Sequence, residues 1–294
     1  MNIDDLNTQQ NQNGPKDLKF FQNADIPFDE SKEEIWDKIS SQIENVVISK
    51  PKTSFLSTLW LKFLATFVML IIVGCVLCIQ FYSIEIIADR GVRKSHIFPD
   101  GSMVELNVDS RISYKPYVWD DQRDVELSGE AFFDVKKGTP FTVISDNGIT
   151  KVLGTRFNVN TRDNGYQVYC EEGSVNVFSV ISQKDLTISA GELAMVYDVT
   201  GVGVVEKNMG NEVLSWKSNK FNFNKVPLEK VLAHLEIQYD ITISTDVKNI
   251  SSYSYTGRFN KTKSPETALN IICQSFNLNF TRMDSANYKV ISAK

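Results

Sequence analysis

The feature that most constrains this chain is an uncharged apolar run, FLATFVMLIIVGCVLCI, at residues 63–79. The run is apolar on every side, whereas a helix that packs on a soluble core needs only one apolar stripe. Extended through residue 82, it reaches the roughly 20 residues that cross the hydrocarbon core of a bilayer. Trp60 precedes the run and Tyr82 follows it, so aromatic rings fall near both membrane interfaces. The sequence therefore predicts a transmembrane helix over residues 63–82.

The location of this run argues against a cleaved leader. A secretory signal peptide places its charged and apolar regions within about the first 15–30 residues, whereas this chain begins with the polar stretch MNIDDLNTQQNQNGPKDL. We therefore expect an internal, retained span, with the central helix of a soluble fold as the alternative. Basic residues flank the run on both sides, and the proximity of Lys52 and Lys62 favours a cytoplasmic N-terminus.

Composition and motifs exclude several classes of function. The net charge of -5 argues against a direct nucleic-acid partner, because nucleic-acid-binding proteins present a basic face or arm. The sequence contains no phosphate-loop, dinucleotide or metallopeptidase motif, so we expect no enzyme activity, no cofactor and no small-molecule substrate. Two histidines and four cysteines give little support for a metal site. Whether Cys170 and Cys273 pair stays open.

The segment before the span, residues 1–62, contains one predicted amphipathic helix at residues 31–47. Ser31 and Glu34 have the Ser-x-x-Glu spacing of a capping box. Apolar residues recur at helical intervals on one face: Ile35, Trp36, Ile39, Ile43, Val46 and Val47. A single helix cannot bury this face within itself, so a partner protein, a second copy of the helix or the membrane surface must cover it. The mixed charges on the other face make the membrane surface the weakest of the three.

After the span, a predicted linker at residues 83–97 leads into short alternating apolar and polar runs. Turn residues separate these runs, among them Asn147-Gly148 and Asn164-Gly165, and Asn-Gly pairs permit the positive φ that tight hairpins require. Residues 98–200 are therefore predicted to form an all-β domain, either a sandwich or a short solenoid.

A second linker is predicted at residues 201–215, followed by a small α+β domain at residues 216–294. PLEKVLAHLEIQY and PETALNIICQSF both open with Pro, which suits a first helical turn, and a short strand pattern follows each. The two segments match at one constant offset, through the pairs Leu232 and Leu269, Leu235 and Ile272, Tyr239 and Phe276, Ile241 and Leu278, and Ile243 and Phe280. The pattern predicts a βαβ unit that occurs twice.

Five segments of the β region, in order along the chain, resemble the successive motifs of the FecR family of bacterial transmembrane anti-sigma factors. These segments are FPDGSMVELNVDSRISY, GEAFFDV, PFTV, VLGTRFNVN and EEGSVNV. The region from Trp216 onwards is similar to the C-terminal domain of many such proteins, which is itself similar to the secretin and TonB short N-terminal domain. The resemblance covers roughly the last two thirds of the chain.

The resemblance implies a signalling protein of the inner membrane in Gram-negative bacteria, single-pass, with a cytoplasmic N-terminus and periplasmic C-terminal domains. Its implied partners are an extracytoplasmic-function sigma factor and the periplasmic signalling domain of an outer-membrane TonB-dependent transporter. Such a relay controls the transcription of uptake genes. The alternative is a membrane-anchored periplasmic interaction module whose cytoplasmic helix only self-associates.

Two sets of candidate functional residues follow. The hypothesis for the sigma-facing stripe comprises Ile35, Trp36, Ile39 and Ile43. The residues within the family motifs are expected to support the fold, because glycines at strand edges permit positive φ and aromatic residues in alternating strands fill a core. This second set consists of Asp100, Gly101, Gly129, Glu130, Phe133, Gly154, Thr155, Phe157, Gly173 and Trp216.

Overall fold

The computed structural model describes residues 31–44, 55–197, 201–207 and 209–293, and the chain divides between Val68 and Met69 into two units. Helix α1 covers Lys32–Glu44. The backbone N–H of Glu34 donates to Ser31 Oγ at 3.2 Å, and the N–H of Ser31 donates to Glu34 Oε2 at 3.0 Å. These reciprocal bonds satisfy donors that the first helical turn would otherwise leave unpaired, so the predicted capping box is present.

Helix α2 covers Phe55–Phe81 and contains the predicted span. It begins eight residues before the predicted start at Phe63, because no Gly or Pro lies between Lys52 and Val73 to stop it. Within the described residues it is the one helix long and apolar enough to cross a membrane, over Leu59–Phe81, and none of that window is buried. Trp60 and Tyr82 are both exposed near the ends of this segment.

Fourteen strands follow α2 and form two seven-stranded sheets. In chain order they are β1 (Ile84–Ala88), β2 (Lys94–Ile97), β3 (Met103–Leu106), β4 (Ser110–Tyr114), β5 (Arg123–Ser128), β6 (Glu130–Asp134), β7 (Phe141–Ile144), β8 (Gly148–Val152), β9 (Arg156–Asn160), β10 (Tyr166–Glu172), β11 (Ser174–Ser179), β12 (Asp185–Ser189), β13 (Glu192–Tyr197) and β14 (Gly201–Lys207). The first sheet has the order β1-β4-β5-β7-β8-β11-β12, and the second has the order β14-β13-β10-β9-β6-β3-β2. All the pairings are antiparallel except β5 with β7.

One hydrophobic core joins the inner faces of these two sheets. In β5, burial alternates residue by residue, so that Val125 and Leu127 point into the core. Aromatic rings meet between the sheets: Phe133 of β6 lies 5.8 Å from Phe141 of β7 and stacks on Phe157 of β9 at 5.1 Å. The β region is therefore a sandwich, not a solenoid.

Both predicted linkers contain regular structure instead. Residues 83–97 include β1 and β2, and residues 201–215 include β14 and the short helix α3 (Gly210–Val213). Strands β1, β2 and β14 are all edge strands of their sheets. A strand at a sheet edge needs only one partner, so a short or glycine-containing segment forms it without a strong alternating pattern. The β domain therefore extends over residues 84–207.

The C-terminal domain contains five strands and two helices. They are β15 (Lys220–Pro227), α4 (Leu228–Tyr239), β16 (Thr242–Thr245), β17 (Ser254–Asn260), α5 (Pro265–Gln274), β18 (Leu278–Arg282) and β19 (Asn287–Ser292). Strands β15 and β17 form a two-stranded antiparallel sheet, whereas β19 lies between β16 and β18 in a three-stranded sheet. Of the ten residues in the constant-offset pairs, six are buried in one hydrophobic core and the other four, Tyr239, Ile243, Phe276 and Phe280, pack against it.

The predicted βαβ units are correct in their order of elements but not in their pairing. Strands β15 and β16 flank α4 yet lie in different sheets, and the same holds for β17 and β18 around α5. Equivalent strands associate instead: β15 pairs with β17, while β16 and β18 both pair with β19. Intertwining the two units buries the apolar faces of both helices in one shared core, which neither unit could close alone.

Two glycines at turns of the β sandwich provide a test of the packing at its strand edges. Gly129 has φ of +100°, and a Cβ there would lie 2.5 Å from Ser110 Oγ and 2.8 Å from the backbone of Asp109 and Ser110. Gly101 has φ of +79°, but a Cβ there would meet open space. We expect Gly101→Ala to cost about 1–2 kcal/mol of backbone strain, and Gly129→Ala to cost about 2 kcal/mol more because its neighbours must shift.

Urea unfolding of the two variants measures this difference in the free energy of unfolding directly. Equal losses of stability in Gly129→Ala and Gly101→Ala would contradict the close approach of β4 and β6 at this turn.

Candidate functional site

The apolar stripe of α1 is the first candidate site. Trp36 is 70% exposed and Ile39 is 39% exposed, whereas Ile35 is half-buried. Ile43 belongs to the helix, but its side chain lies outside the described residues, and so do Val46 and Val47. A large exposed indole next to exposed aliphatic carbon is typical of a protein-interaction surface rather than of a helix that is satisfied alone.

Asp100 and Gly101 lie at the β2–β3 turn, where an ion pair fixes the loop. Asp100 accepts hydrogen bonds from the backbone N–H and the hydroxyl of Ser102, at 3.0 and 2.7 Å. The buried Arg123 donates to Asp100 at 2.6 Å and to Lys136 O at 3.0 Å. Burial alone would raise the pKa of Asp100, but the hydrogen bonds from Ser102 and Arg123 outweigh it and lower the pKa. These residues hold the turn.

The other motif glycines and aromatic residues lie within the sandwich. Gly101, Gly129, Gly154 and Gly173 have φ of +79°, +100°, +150° and +94°. Phe133 and Phe157 are fully buried. The hydroxyl of Thr155, in the turn that contains Gly154, donates to Ser174 O at 3.1 Å and so ties this turn to β11. None of these side chains forms part of an open site.

Glu130 and Trp216, in contrast, belong to a buried polar network between the β sandwich and the C-terminal domain. We call this network the polar junction and define it by Asn107, Glu130, Asn158, Arg162, Trp216 and Gln238. Glu130 accepts from Asn107 Nδ2 at 2.8 Å and from Asn158 Nδ2 at 3.1 Å, and Arg162 Nη1 lies 3.9 Å from its carboxylate. Burial raises the pKa of Glu130, and the Arg162 guanidinium opposes this shift.

Two hydrogen bonds of the polar junction cross to the C-terminal domain. Trp216 Nε1 donates to Asn158 Oδ1 at 3.3 Å, and Gln238 Nε2 donates to Asn107 Oδ1 at 3.4 Å. The two asparagines that donate to Glu130 therefore also accept hydrogen bonds from the C-terminal domain. Because every member except the partly buried Arg162 is buried, the arrangement is sensitive to the loss of any one donor or acceptor.

His234 of α4 provides a test of the pH dependence of this interface. Its ring lies edge-on to Phe221 and Phe223 at 5.8 and 5.6 Å, and burial, followed by the nearby Arg162, lowers its pKa to about 4. Asp163 and Lys261 are the other charged groups near the ring. In the unfolded chain this histidine has a pKa of about 6.5. As the pH falls from about 6.5 towards 4, the unfolded chain therefore binds a proton that the folded chain does not bind, and the free energy of unfolding decreases. Above about pH 6.5 this loss of stability is absent.

We therefore expect the free energy of unfolding of the wild type to decrease between pH 7.5 and pH 5, and this decrease to exceed that of His234→Gln by about 1 kcal/mol or more. Chemical denaturation of both proteins at the two pH values measures this difference. An equal pH dependence in the two proteins would contradict the burial of a neutral imidazole.

The two buried cysteines lie one in each domain. Cys170 and Cys273 are both free and lie in separate cores, where burial raises the pKa of each thiol to about 11. No group of three His, Cys, Asp or Glu side chains in the described part of the chain could hold a metal ion.

Of the polar junction, Glu130 and Trp216 were predicted as motif residues, but the residues that join them were not. Asn107 and Asn158 lie within two of the family segments without being candidate residues there, whereas Arg162 and Gln238 lie outside those segments. One signal was available: Asn107 stands between the buried Leu106 and Val108, and Asn158 stands between the buried Phe157 and Val159. A buried amide at such a position must find a hydrogen-bond partner, and here it lies across the domain boundary.

Comparisons with known proteins agree with this architecture. Residues 85–176 match the family described as FecR protein, and residues 220–290 match the family described as FecR, C-terminal. Two crystal structures of a candidate anti-sigma factor from Parabacteroides distasonis ATCC 8503, at 2.50 and 1.65 Å resolution, are 27% identical to this chain. Each covers 72% of this chain and 100% of its own, with TM-scores of 0.64 and 0.63. The comparison with curated proteins gives no match.

The two family matches occur in order along the chain, and they lie on the β sandwich and the C-terminal domain that the structure describes. The family is regulatory rather than catalytic. By its sequence and its fold, the chain belongs to the FecR family of anti-sigma factors.

Proposed function

We propose that this FecR-family protein is a single-pass inner-membrane regulator that connects an outer-membrane TonB-dependent transporter to an extracytoplasmic-function sigma factor. In this proposal the N-terminus is cytoplasmic, the sandwich and the C-terminal domain are periplasmic, and the output is transcription of uptake genes. The observation that carries it is the order of elements: a helix with an exposed apolar stripe precedes the candidate membrane helix, and both FecR domains follow it.

The sigma-factor end of the proposal rests on α1. The exposed Trp36 and Ile39 need a partner surface to cover them, and a family of anti-sigma factors supplies a sigma factor as that partner. The opposite face carries Lys38 and Ser41, so the helix is polar enough to remain in solution when it is unbound.

The transporter end of the proposal rests on strand edges in the C-terminal domain. Strand β19 is central in the three-stranded sheet, which leaves β16 and β18 each with one unpaired edge within the described chain. An extended segment of a signalling domain can add to such an edge through main-chain hydrogen bonds. Specificity would then come from the side chains that alternate along the added strand.

The alternative function is a membrane-anchored periplasmic interaction module that does not bind a sigma factor. Transcript profiling distinguishes the two in the native host. We would compare strains that produce the full chain, no chain, or the full chain lacking residues 31–44, and read out genes that depend on the sigma factor encoded nearest to this gene. The relay predicts that the chain lacking residues 31–44 behaves like the null strain, whereas transcripts that are unchanged in both strains would favour the interaction module.

A further inference from the structure

The turn between β1 and β2, residues 89–93, is the first loop after the membrane helix. Only two residues, Tyr82 and Ser83, separate the end of α2 from β1, and β1 is an edge strand that pairs only with β4. The ring of Tyr82 lies 5.4 Å from Tyr117, and Lys115 Nζ lies 5.9 Å from the ring of Phe81. A change at this turn is therefore one short strand away from the end of the membrane helix. We call residues 89–93 the juxtamembrane turn.

One half of the juxtamembrane turn binds the C-terminal end of α4. The backbone N–H of Gly91 donates to Ile237 O at 2.8 Å, and Arg90 Nη2 donates to Ile241 O at 3.0 Å. Arg90 Nε also lies 3.8 Å from the carboxylate of Asp240, the residue that ends the helix in a left-handed conformation. The last carbonyls of a helix have no partner within it and carry partial negative charge, so a cationic side chain and a free N–H suit this position.

The other half of the juxtamembrane turn binds a second helical end in the same domain. Arg93 Nη1 donates to Trp216 O at 2.5 Å and to Lys217 O at 3.3 Å, and Arg93 Nη2 donates to Asn219 Oδ1. These acceptors lie at the carboxyl end of the 3₁₀ turn Ser215–Ser218. The Arg93 guanidinium is also 6.0 Å from the Trp216 ring. One five-residue turn thus occupies the carbonyl ends of two helical segments of the C-terminal domain.

These contacts are specific in their chemistry and share only Trp216 with the polar junction. Charge-assisted hydrogen bonds to carbonyls depend on the planar guanidinium, which delivers several donors at fixed angles. Gly91 has φ of +76°, and a Cβ at this position would come within 3.6 Å of Asp240, so the turn also fits α4 closely through its backbone. The side chains of Arg90 and Arg93 are partly buried against the C-terminal domain, whereas Asp89 and Val92 of the same turn are exposed.

We propose that the C-terminal domain is a latch on the juxtamembrane turn, and that its undocking releases β1, the first strand after the membrane helix. Arg90 and Arg93 are the positioning residues of this latch. A partner that displaces the C-terminal domain removes six of the hydrogen bonds and ion pairs that hold the turn. Strand β1 then keeps its pairing with β4 and the packing of Ile84, Ile86 and Ala88 on the sandwich core, but it loses the anchor of the turn that follows it. The latch extends the relay proposed above, but it is a physical property of the chain that does not depend on the identity of the partner.

Hydrogen–deuterium exchange of the full chain in lipid nanodiscs tests the latch. The test variant is Arg90→Ala/Arg93→Ala. The matched control is Lys94→Ala/Lys151→Ala, which removes two positive charges from exposed positions on β2 and β8. We expect peptides covering residues 84–93 and 236–242 to exchange about tenfold faster or more in the test variant, and at the wild-type rate in the control.

Peptides of β9 report whether the sandwich has stayed folded, since Phe157 and Val159 are fully buried. If the double variant fails to fold, Asn219→Gly provides a milder test, because glycine tolerates the φ of +55° at that position and the substitution removes one of the three acceptors of Arg93. We expect faster exchange at residues 89–93 in that variant too. Wild-type exchange in the folded test variant, or equal acceleration in the control, would overturn the latch.

The exchange experiment and the transcription experiment test the latch and the proposed relay separately. Faster exchange together with unchanged sigma-dependent transcription in the strain lacking residues 31–44 would keep the latch and remove the relay. Unchanged exchange together with altered transcription in that strain would keep the relay and remove the latch.

Discussion

The full chain carrying Ile39→Asp and Ile43→Asp is expected to lose its regulation of sigma-dependent genes and to give the transcript pattern of a null strain. Each aliphatic side chain buried at an interface contributes about 1.5–3 kcal/mol, so two buried carboxylates in their place should weaken binding by about 100-fold or more. The helix itself should persist, because the capping box of Ser31 and Glu34 is untouched. Quantitative PCR of the target genes, with membrane fractionation of the variant, measures both expectations.

A matched control separates the stripe from a general effect of charge. Lys38→Gln/Ser41→Asp changes the net charge by the same amount, on the side of α1 away from Ile39. We expect this control to regulate like the wild type and both variants to insert normally, since neither touches Leu59–Phe81. Normal regulation by the Ile39→Asp/Ile43→Asp chain would exclude the stripe as the sigma-binding surface.

The second large effect is expected at the polar junction. Glu130→Ala leaves the Arg162 guanidinium and the amides of Asn107 and Asn158 buried without their shared acceptor. Removing one partner from a buried charged network typically costs about 3–5 kcal/mol, and we expect about 3 kcal/mol here because Arg162 also donates to Val108 O. For a folded region of this size, that loss corresponds to a decrease in Tm of about 6–12 °C.

Differential scanning calorimetry of the solubilised chain checks this prediction, with two controls. Glu130→Gln keeps an oxygen acceptor for the asparagines and should lose less stability than Glu130→Ala. Glu126→Ala removes an exposed carboxylate from β5, the strand that precedes Glu130 in the chain. This carboxylate accepts a hydrogen bond from Ser113 Oγ at 2.9 Å, and its loss should change stability by about 0.5 kcal/mol or less. Similar melting of Glu130→Ala and Glu126→Ala would show that the junction does not stabilise the fold.

The sequence predicted those features that depend on local pattern. The capping box at Ser31 and Glu34, the apolar helix and the two equivalent αβ segments each follow from spacing within one segment. Edge strands were missed because a strand with one partner needs little pattern of its own, as the KSHI of β2 illustrates. The turn near Asn164-Gly165 exists, but the positive φ falls on Asp163 and not on the Asn-Gly pair. The Asn-Gly pair therefore predicted the position of this turn but not its backbone conformation.

Contacts between segments that are far apart in the chain could not be predicted from the sequence. Asn107 and Gln238 are more than a hundred residues apart, and no periodicity marks that they share a hydrogen bond. The same is true of Arg93 and the carbonyl of Trp216, whose contact makes the predicted linker part of a domain interface. The intertwined pairing of β15 with β17 is a further case, because a βαβ pattern fixes the order of elements but not which strands are neighbours.

The central claim is that the stripe of α1 binds a sigma factor, and its most direct test is affinity measured on the full chain in lipid nanodiscs. The ligand is the purified extracytoplasmic-function sigma factor encoded nearest to this gene, and the readout is biolayer interferometry with the wild type, Ile39→Asp/Ile43→Asp and Lys38→Gln/Ser41→Asp. The account predicts saturable binding by the wild type and the Lys38→Gln/Ser41→Asp control, with an affinity about 100-fold lower or more for the stripe variant. Equal binding by all three chains, or binding by none of them, would contradict it.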